Sequence, residues 1–367
     1  MDKLDKYREM RDFAATPEPS GDVDAPPPPD GLPRFVVQEH HATSLHWDLR
    51  LERDGVAPSW AVPKGIPPDP RENHLAVQTE DHPLEYLEFH GDIPEGSYGA
   101  GQMTIWDAGT YEPHEWTDTK VEVTLHGERA RGRYVLFRTQ GNQWMIHRKD
   151  PPEDPTRELM PRDLRPMLAT PGELPAAGDE DAWGFEIRWD GVRALLACDG
   201  GRIELTGADG ADGADGAELT AKAPELRALG RALGTLAVVL DGELVAFDDG
   251  GRPDRGRLDR RMAHDKDTAI RRAATSVPLT YVAYDLLWME GHPTVDLAYE
   301  DRRRLLDEAE VVGPNWQTPA YHRGDAAAFL AAASAQGLSG VVAKRLASPY
   351  RPGTRTEDWV DVVAEPG

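Results

Sequence analysis

Leu45, Trp47, Leu49 and Leu51 alternate with His46, Asp48, Arg50 and Glu52. A period of two predicts a β-strand over 44–52 with one apolar and one polar face. Similar short runs fall at 34–39, 59–63, 74–79, 101–107, 120–126, 132–138 and 143–148. Turn residues separate them, as in Asp54-Gly55, Pro63-Lys64-Gly65, Pro94-Glu95-Gly96 and Gly99-Ala100-Gly101. Many short strands at such spacing predict a barrel or sandwich over 34–150. Ahead of them, residues 1–13 read as a short helix on which Arg8 and Arg11 share a face. A solvated helix is the plainest reading of that segment alone. Thr16-Pro17-Glu18-Pro19 and the four prolines 26–29 form an extended arm, so 1–33 is helix plus Pro-rich arm.

After residue 150 the pattern changes. Residues 151–164, rich in Pro, Asp and Arg, read as a linker to a second domain over 165–367. There, strands at 184–189, 192–198, 237–247, 279–287 and 340–345 alternate with helical patterns at 218–234, 298–311 and 324–336. The expected whole is a two-domain α+β protein, with α/β kept open for the second domain. Within it, Gly207–Gly216 repeats Gly-Ala-Asp. The ligand spacing and terminal Glu of an EF-hand loop are absent, so a surface insertion is the better reading.

Composition narrows the setting. Hydrophobic content is 39%, and no apolar run approaches the ~20 residues of a membrane helix. The N-terminus lacks the apolar stretch of a signal peptide, and the single cysteine, Cys198, excludes an internal disulfide. A cytoplasmic protein without a membrane partner is expected. The formal net charge of −24 argues against a general nucleic-acid coat. It is compatible with an enzyme that grips one strand end through a few arginines, with weak, salt-sensitive affinity for bulk duplex.

The polar face of the 44–52 strand carries the candidate chemistry. It sets an imidazole, a carboxylate and a guanidinium in a row, roughly 6–7 Å apart. With His40 upstream, His46 and Asp48 supply two nitrogens and one oxygen. Three ligands with a position left open is the habit of a catalytic metal, and the set suits Mn²⁺ or Zn²⁺ alike. His41 would point to the other side of the strand and is the spare. A second cluster, Glu80-Asp81-His82-Pro83, follows the strand 74–79. Arg50, His82 and Arg11 folded back from the arm would surround a phosphate, with Lys64 a further cation at a strand end. Any one such histidine is more often structural than ligating; the series on one face is what shifts the balance. The rival reading is the two-His-one-carboxylate iron triad of oxygenases, and the neighbouring arginine favours phosphate over dioxygen.

Residues 7–150 resemble the 3'-phosphoesterase domain of ligase D, the bacterial end-joining enzyme. The resemblance runs through Tyr7-Arg8-Glu9-Met10-Arg11-Asp12-Phe13, Phe35-Val36-Val37-Gln38-Glu39-His40 and His46-Trp47-Asp48-Leu49-Arg50-Leu51. It continues in Ser59-Trp60-Ala61-Val62-Pro63-Lys64-Gly65, Thr79-Glu80-Asp81-His82-Pro83-Leu84-Glu85-Tyr86 and Ile93-Pro94-Glu95-Gly96-Ser97-Tyr98-Gly99-Ala100-Gly101. It implies a manganese-dependent trimming of a 3'-terminal ribonucleotide followed by removal of the 3'-phosphate. It also implies His40, His46 and Asp48 as metal ligands and Arg11, Arg50 and His82 as phosphate-contacting groups, His82 able to donate a proton or hydrogen bond. Gln38, Lys64, Glu80 and Tyr86 stand at supporting positions.

Residues 165–363 resemble the nucleotidyltransferase domain of ATP-dependent DNA ligases. That family's nucleophile motif reads Glu-x-Lys-x-Asp-Gly-x-Arg. Here it is Glu186-Ile187-Arg188-Trp189-Asp190-Gly191-Val192-Arg193, with Arg188 in the lysine position. The lysine must lose a proton to attack the α-phosphorus of ATP, whereas arginine, with a pKa above ~12, stays protonated. Leu240-Asp241-Gly242-Glu243 and Gly340-Val341-Val342-Ala343-Lys344 resemble further motifs, but Ser339 replaces a Glu, and Asp361 and Val363 replace two lysines. Glu186, Asp190, Arg193, Glu243 and Lys344 are the retained groups open to residual nucleotide contact. No OB-fold follows up to Gly367, and a covalent adenylate is not expected.

The sequence therefore points to an enzyme that heals DNA 3' ends in non-homologous end joining, at the nucleoid, fused to a degenerate ligase domain. Its expected partners are DNA ends bearing a 3'-phosphate or 3'-ribonucleotide, an end-binding protein, a polymerase and a separate active ligase. An active ATP-dependent ligase and a non-catalytic end-binding adaptor are the alternatives.

Overall fold

The computed structural model describes residues 3–21, 31–207 and 216–364. The prolines at 26–29 and the core of the Gly-Ala-Asp insertion, 208–215, lie outside the described residues. The chain divides into two compact units, Met1–Pro155 and Thr156–Gly367.

The first unit opens with α1 (Asp5–Glu9), shorter than the helix expected over 1–13. Strands β1 (Arg34–His41), β2 (Leu45–Leu51), β3 (Ser59–Val62) and β4 (Asn73–Gln78) follow. After a 3-10 turn, Leu84–Glu88, come β5 (Gly91–Ile93), β6 (Gly101–Trp116), β7 (Lys120–His126), β8 (Arg131–Gln140) and β9 (Gln143–Arg148). The sheet runs β1-β2-β3-β4-β9-β8-β7-β6 and closes because β6 also pairs with β1; β5 adds to β6. Closure into an eight-stranded antiparallel barrel leaves none of these strands as an unpaired edge. Phe35, Val37, Trp47, Leu49, Leu51, Trp60, Val62, Val123, Leu136 and Ile146 fill the interior. β6 continues well past the expected 101–107. It tolerates Pro113, which has no N–H to offer, through a register shift between Pro113 and Glu115.

The polar face of β2 is largely covered, with His46 alone on it partly exposed. Asp48 and Arg50 are as buried as Trp47 and Leu49. A separate apolar cluster of Leu4, Tyr7, Val56, Tyr86, Ile93 and Met103 explains this. The N-terminal segment and the 3-10 turn lie over the outer face of the barrel and roof the charged row.

The second unit contains β10 (Leu168–Pro171), β11 (Trp183–Ile187), β12 (Val192–Asp199), β13 (Arg202–Gly207), α2 (Arg227–Leu233), β14 (Val238–Ala246), α3 (Arg255–Met262), α4 (Asp267–Ser276) and β15 (Leu279–Met289). It continues with β16 (His292–Pro293), α5 (Tyr299–Glu308), β17 (Trp316–Gln317), β18 (His322–Arg323), α6 (Ala326–Ala335), β19 (Gly340–Arg345) and β20 (Arg355–Val363). Two sheets form, β10-β20-β19-β11-β18 and β13-β12-β14-β15-β16, the latter with β17 beside β15. Most pairings are antiparallel, so the domain is α+β. Val239, Tyr284 and Trp288 of one sheet and Trp359 of the other share one core with Met167 and Tyr350 from the connecting segments. The helix expected over 218–234 is broken: Pro224 cannot donate to the preceding turn, leaving two 3-10 turns before α2. Helix α3, not expected from periodicity, starts at Asp254, whose side chain accepts the Arg257 N–H as an N-cap.

Leu49 is fully buried in the barrel, whereas Ile105 on β6 is 42% exposed. Leu49→Ala is expected to destabilise the first unit by about 2–5 kcal/mol and Ile105→Ala by at most about 0.5 kcal/mol. Denaturant-dependent hydrogen exchange of the β2 amides measures both.

Candidate metal and phosphate centre

The β1–β2 register builds the centre. His40 lies opposite His46, Gln38 opposite Asp48 and Val36 opposite Arg50. Directly opposed residues in an antiparallel pair share a face, so both imidazoles and the carboxylate project together from the outside of the barrel. His40 Nδ1 is 3.6 Å from Asp48 Oδ2, and His46 Nε2 is 3.6 Å from Asp48 Oδ1. One ligand atom from each residue lies within 4.8 Å of the others. The remaining ring nitrogens are committed: His40 Nε2 donates to the Gly99 carbonyl (2.9 Å) and His46 Nδ1 to the Ser44 carbonyl (2.9 Å). A carbonyl only accepts, so these contacts orient each ring with its other nitrogen toward Asp48. His41 turns away and bonds Glu39 at 2.6 Å.

Asp48 is kept ionised. Burial alone would raise its pKa, but Arg50, His40 and His46 more than offset burial and hold the carboxyl well below the usual range. Arg50 donates to Asp48 (2.9 Å), Gln38 (2.6 Å) and Ser59 (3.0 Å), and its guanidinium lies 4.5 Å from the Tyr86 ring centroid. Gln38 is fixed in turn by donating to the Tyr86 and Phe89 carbonyls.

The N-terminal segment brings Arg11 to the same place. Arg11 donates to Glu18 (2.8 Å), Glu80 (3.0 Å) and His82 Nε2 (3.2 Å), and packs 3.9 Å from the Tyr7 centroid. Burial opposes its charge, but Glu18 and Glu80 hold the guanidinium firmly protonated. Tyr86 donates its hydroxyl to Glu18 at 2.8 Å. Lys64 is half-buried in the turn ending β3, at the His46 end of the β2–β3 ladder.

His82 differs from the expectation of a proton donor. Its Nδ1 donates to the Glu80 carbonyl (2.9 Å), which leaves Nε2 as the acceptor of the Arg11 N–H. Burial, then Arg50 and Arg11, push its pKa well below the ordinary histidine value. It is a neutral acceptor wedged among Tyr7, Tyr86 and Arg11.

In the second unit, Glu186 accepts from Tyr299 (2.5 Å) and Arg303 (3.0 Å) and pairs with Lys344 at 2.5 Å. Lys344 is buried among the rings of Tyr284 and Trp359, and burial lowers its pKa. Arg193 makes a two-pronged contact with Asp241 (2.5 and 3.0 Å), which also accepts the Tyr350 hydroxyl. Glu243, opposite Arg193, accepts the Gly191 N–H. Arg188 pairs with Asp361 at 3.0 Å and Asp190 at 3.5 Å, and its carbonyl accepts the Ser339 hydroxyl.

Comparison with known families covers both units. Residues 38–138 match the DNA ligase D 3'-phosphoesterase domain, and residues 166–362, more than half of the chain, match the ATP-dependent DNA ligase domain. The chain belongs to the ATP-dependent DNA ligase family, with a ligase D 3'-phosphoesterase domain ahead of the ligase domain. It is 41% identical over 372 residues to the multifunctional non-homologous end joining protein LigD of Mycolicibacterium smegmatis, covering 98% of this chain and 45% of that protein. The LigD of Pseudomonas aeruginosa is 35% identical over 413 residues, covering 97% of this chain and 46% of that protein. The chain thus spans less than half the length of these curated relatives. A solved mycobacterial DNA ligase D complexed with ATP and MES is 34% identical, covering 55% of this chain and 60% of that one, with a TM-score of 0.46.

The first unit holds further groups against the candidate site residues that residue-type reasoning passed over. Glu18 ties Arg11 to Tyr86, Ser59 holds Arg50, and the Gly99 carbonyl orients His40. Glu18 sits between two prolines with no periodicity around it. Its signal is the block Thr16-Pro17-Glu18-Pro19, which belongs to the resemblance to the phosphoesterase domain.

Because the folded unit keeps His82 neutral, the unfolded chain binds the extra proton as pH falls below about 6.5. The stability this contact contributes is therefore present at neutral pH and is lost on acidification. In metal-free protein at pH 6, nitrogen NMR is expected to find His82 as a neutral Nδ1–H tautomer; an imidazolium there would contradict the assignment.

Proposed function

We propose that the first unit is a divalent-metal-dependent 3'-phosphoesterase, with manganese the expected ion, that heals DNA 3' ends for non-homologous end joining. The observation that carries this reading is the convergence of His40, His46 and Asp48 beside Arg50, Arg11 and His82. The donor set fits such an ion: two imidazole nitrogens with their sister N–H groups engaged, one ionised carboxylate, and further coordination positions unfilled by protein. Zinc or another divalent ion suits the same donors. When bound, the ion supplies Lewis acidity toward the phosphoryl oxygens and the attacking water.

The chain's own groups do the rest. Arg50 and Arg11 are fixed cations whose guanidinium forks match phosphate oxygens. In the absence of substrate they are neutralised by Asp48, Glu18 and Glu80, so a phosphate replaces contacts already oriented rather than ordering loose side chains. His82, neutral and with Nε2 as acceptor, is suited to accepting a hydrogen bond from a P–OH group rather than to acting as an acid or holding an added proton. Gln38, Tyr86 and Glu80 hold these groups in place.

The second unit is read as a ligase-type domain that has lost nucleotidyl transfer. ATP does not fit as a source of covalent adenylate. Arg188 cannot supply a neutral amine, and its partner Asp361 puts negative charge where a triphosphate needs positive. The domain's remaining role is as a scaffold or binding module. The partners proposed for the whole are DNA 3' ends, an end-binding protein, a polymerase and a separate ligase, at the chromosome in the cytoplasm. Among the described residues no helix is long and apolar enough to cross a membrane.

With Mn²⁺ and a 3'-phosphate primer-template, wild-type protein is expected to release inorganic phosphate. His46→Ala and Asp48→Ala should each reduce release at least about 100-fold with an unchanged circular dichroism spectrum. No release by wild type across divalent metals favours the adaptor. Incubation with α-labelled ATP should leave the chain unlabelled. Arg188→Lys alone should also fail, because Asp361 would hold the new ammonium protonated; labelling of wild type that vanishes in Arg188→Ala would restore the active ligase.

A further inference from the structure

Three tyrosines surround the Arg11 guanidinium and the phosphate centre. Tyr7 and Tyr86 are sealed in, at 0% and 1% exposure, while Tyr98 is 49% exposed. Among the described residues only Tyr98 and Phe137 are exposed large aromatics. Tyr98 belongs to the 94–100 segment joining β5 to β6, and that segment is built rather than loose. Ser97 N–H bonds the Pro94 carbonyl and Ala100 N–H the Ser97 carbonyl. Gly96 and Gly99 take φ values of +89° and +74°, which side chains rarely adopt. The Gly99 carbonyl beside Tyr98 is the acceptor for His40, so the loop is tied to the proposed metal ligands. The Arg11 guanidinium carbon lies 3.9 Å from the Tyr7 centroid and 5.5 Å from the Tyr98 centroid. The cation that would hold the phosphate therefore sits between a buried ring and a half-exposed one.

On a 3'-phosphate end, a single sugar separates the reacting phosphate from its base. An exposed ring face beside the phosphate-holding cation is where that base would stack. Chain-wide charge strengthens the case. At a formal −24, little affinity comes from general backbone neutralisation, whereas stacking is uncharged and tolerant of base identity. We infer that Tyr98 is the platform on which the base of the 3'-terminal nucleotide stacks, setting how the strand end enters the centre. This inference rests on the phosphoesterase reading above.

The test compares Tyr98→Ala, Tyr98→Phe and Tyr98→Trp with wild type on two Mn²⁺-supplied primer-templates. One ends in an ordinary nucleotide 3'-phosphate, the other in an abasic tetrahydrofuran 3'-phosphate. On the ordinary end, Tyr98→Ala should raise KM about tenfold with kcat within about twofold, while Phe and Trp keep the wild-type KM. On the abasic end, wild type should already show the raised KM and Tyr98→Ala should add nothing. An equal Tyr98→Ala effect on both ends, no effect on either, or a Tyr98→Phe defect matching that of Ala would overturn the inference while leaving the phosphoesterase intact. Absence of phosphate release by wild type on both ends would instead sink the underlying reading, and this inference with it.

Discussion

A single buried carboxylate organises the first unit. Asp48 accepts from Arg50 on one oxygen while His40 and His46 approach one oxygen each. Burying such a group without partners would be costly. Its position on β2, across from Gln38 and two residues from both His46 and Arg50, sets a ligand-type imidazole on one side of it and a cation on the other. The barrel interior needs only apolar alternation. The outer face needs the roof of Tyr7, Tyr86 and the N-terminal segment to keep water from weakening the charges. Fold and site are thus two sides of one strand.

Much of this was legible in the alternation of residues 44–52 and its neighbours. Trp47, Leu49 and Leu51 announce an inward face, and His46, Asp48 and Arg50 announce chemistry on the other. What alternation does not carry is the cross-strand register. His40 meets His46 only because β1 and β2 pair with that offset, and hairpin register depends on turn geometry that composition leaves open. β5, three residues long, offers too few positions to show a period, and Pro113 hid the far half of β6 by signalling a break that a bulge absorbs. Burial of the polar face depended on a remote segment folding back, which local pattern cannot report. The tautomer of His82 was likewise not legible, since it follows from one backbone carbonyl and one guanidinium.

In the second unit the charged side chains at the ligase-like motifs are engaged in internal ion pairs. Arg188 lies against Asp361, Lys344 against Glu186 and Arg193 against Asp241. On the reading proposed above, charges committed to each other in this way present little to a triphosphate. The pairing of Arg188 with Asp361 is informative because both stand where the ligase family uses lysine. On the reading proposed above, an opposite pair stands there in place of two like charges, which alters the local field as well as the nucleophile.

The account stands on His40, His46 and Asp48 sharing one divalent ion. Electron spin-echo spectroscopy of the Mn²⁺-loaded protein reads that directly through nitrogen couplings to the ion. Two histidine nitrogens are expected in wild type, one in His46→Ala and one in His40→Ala. A single tightly bound Mn²⁺ whose spectrum shows no nitrogen coupling, or couplings untouched by either substitution, would contradict it.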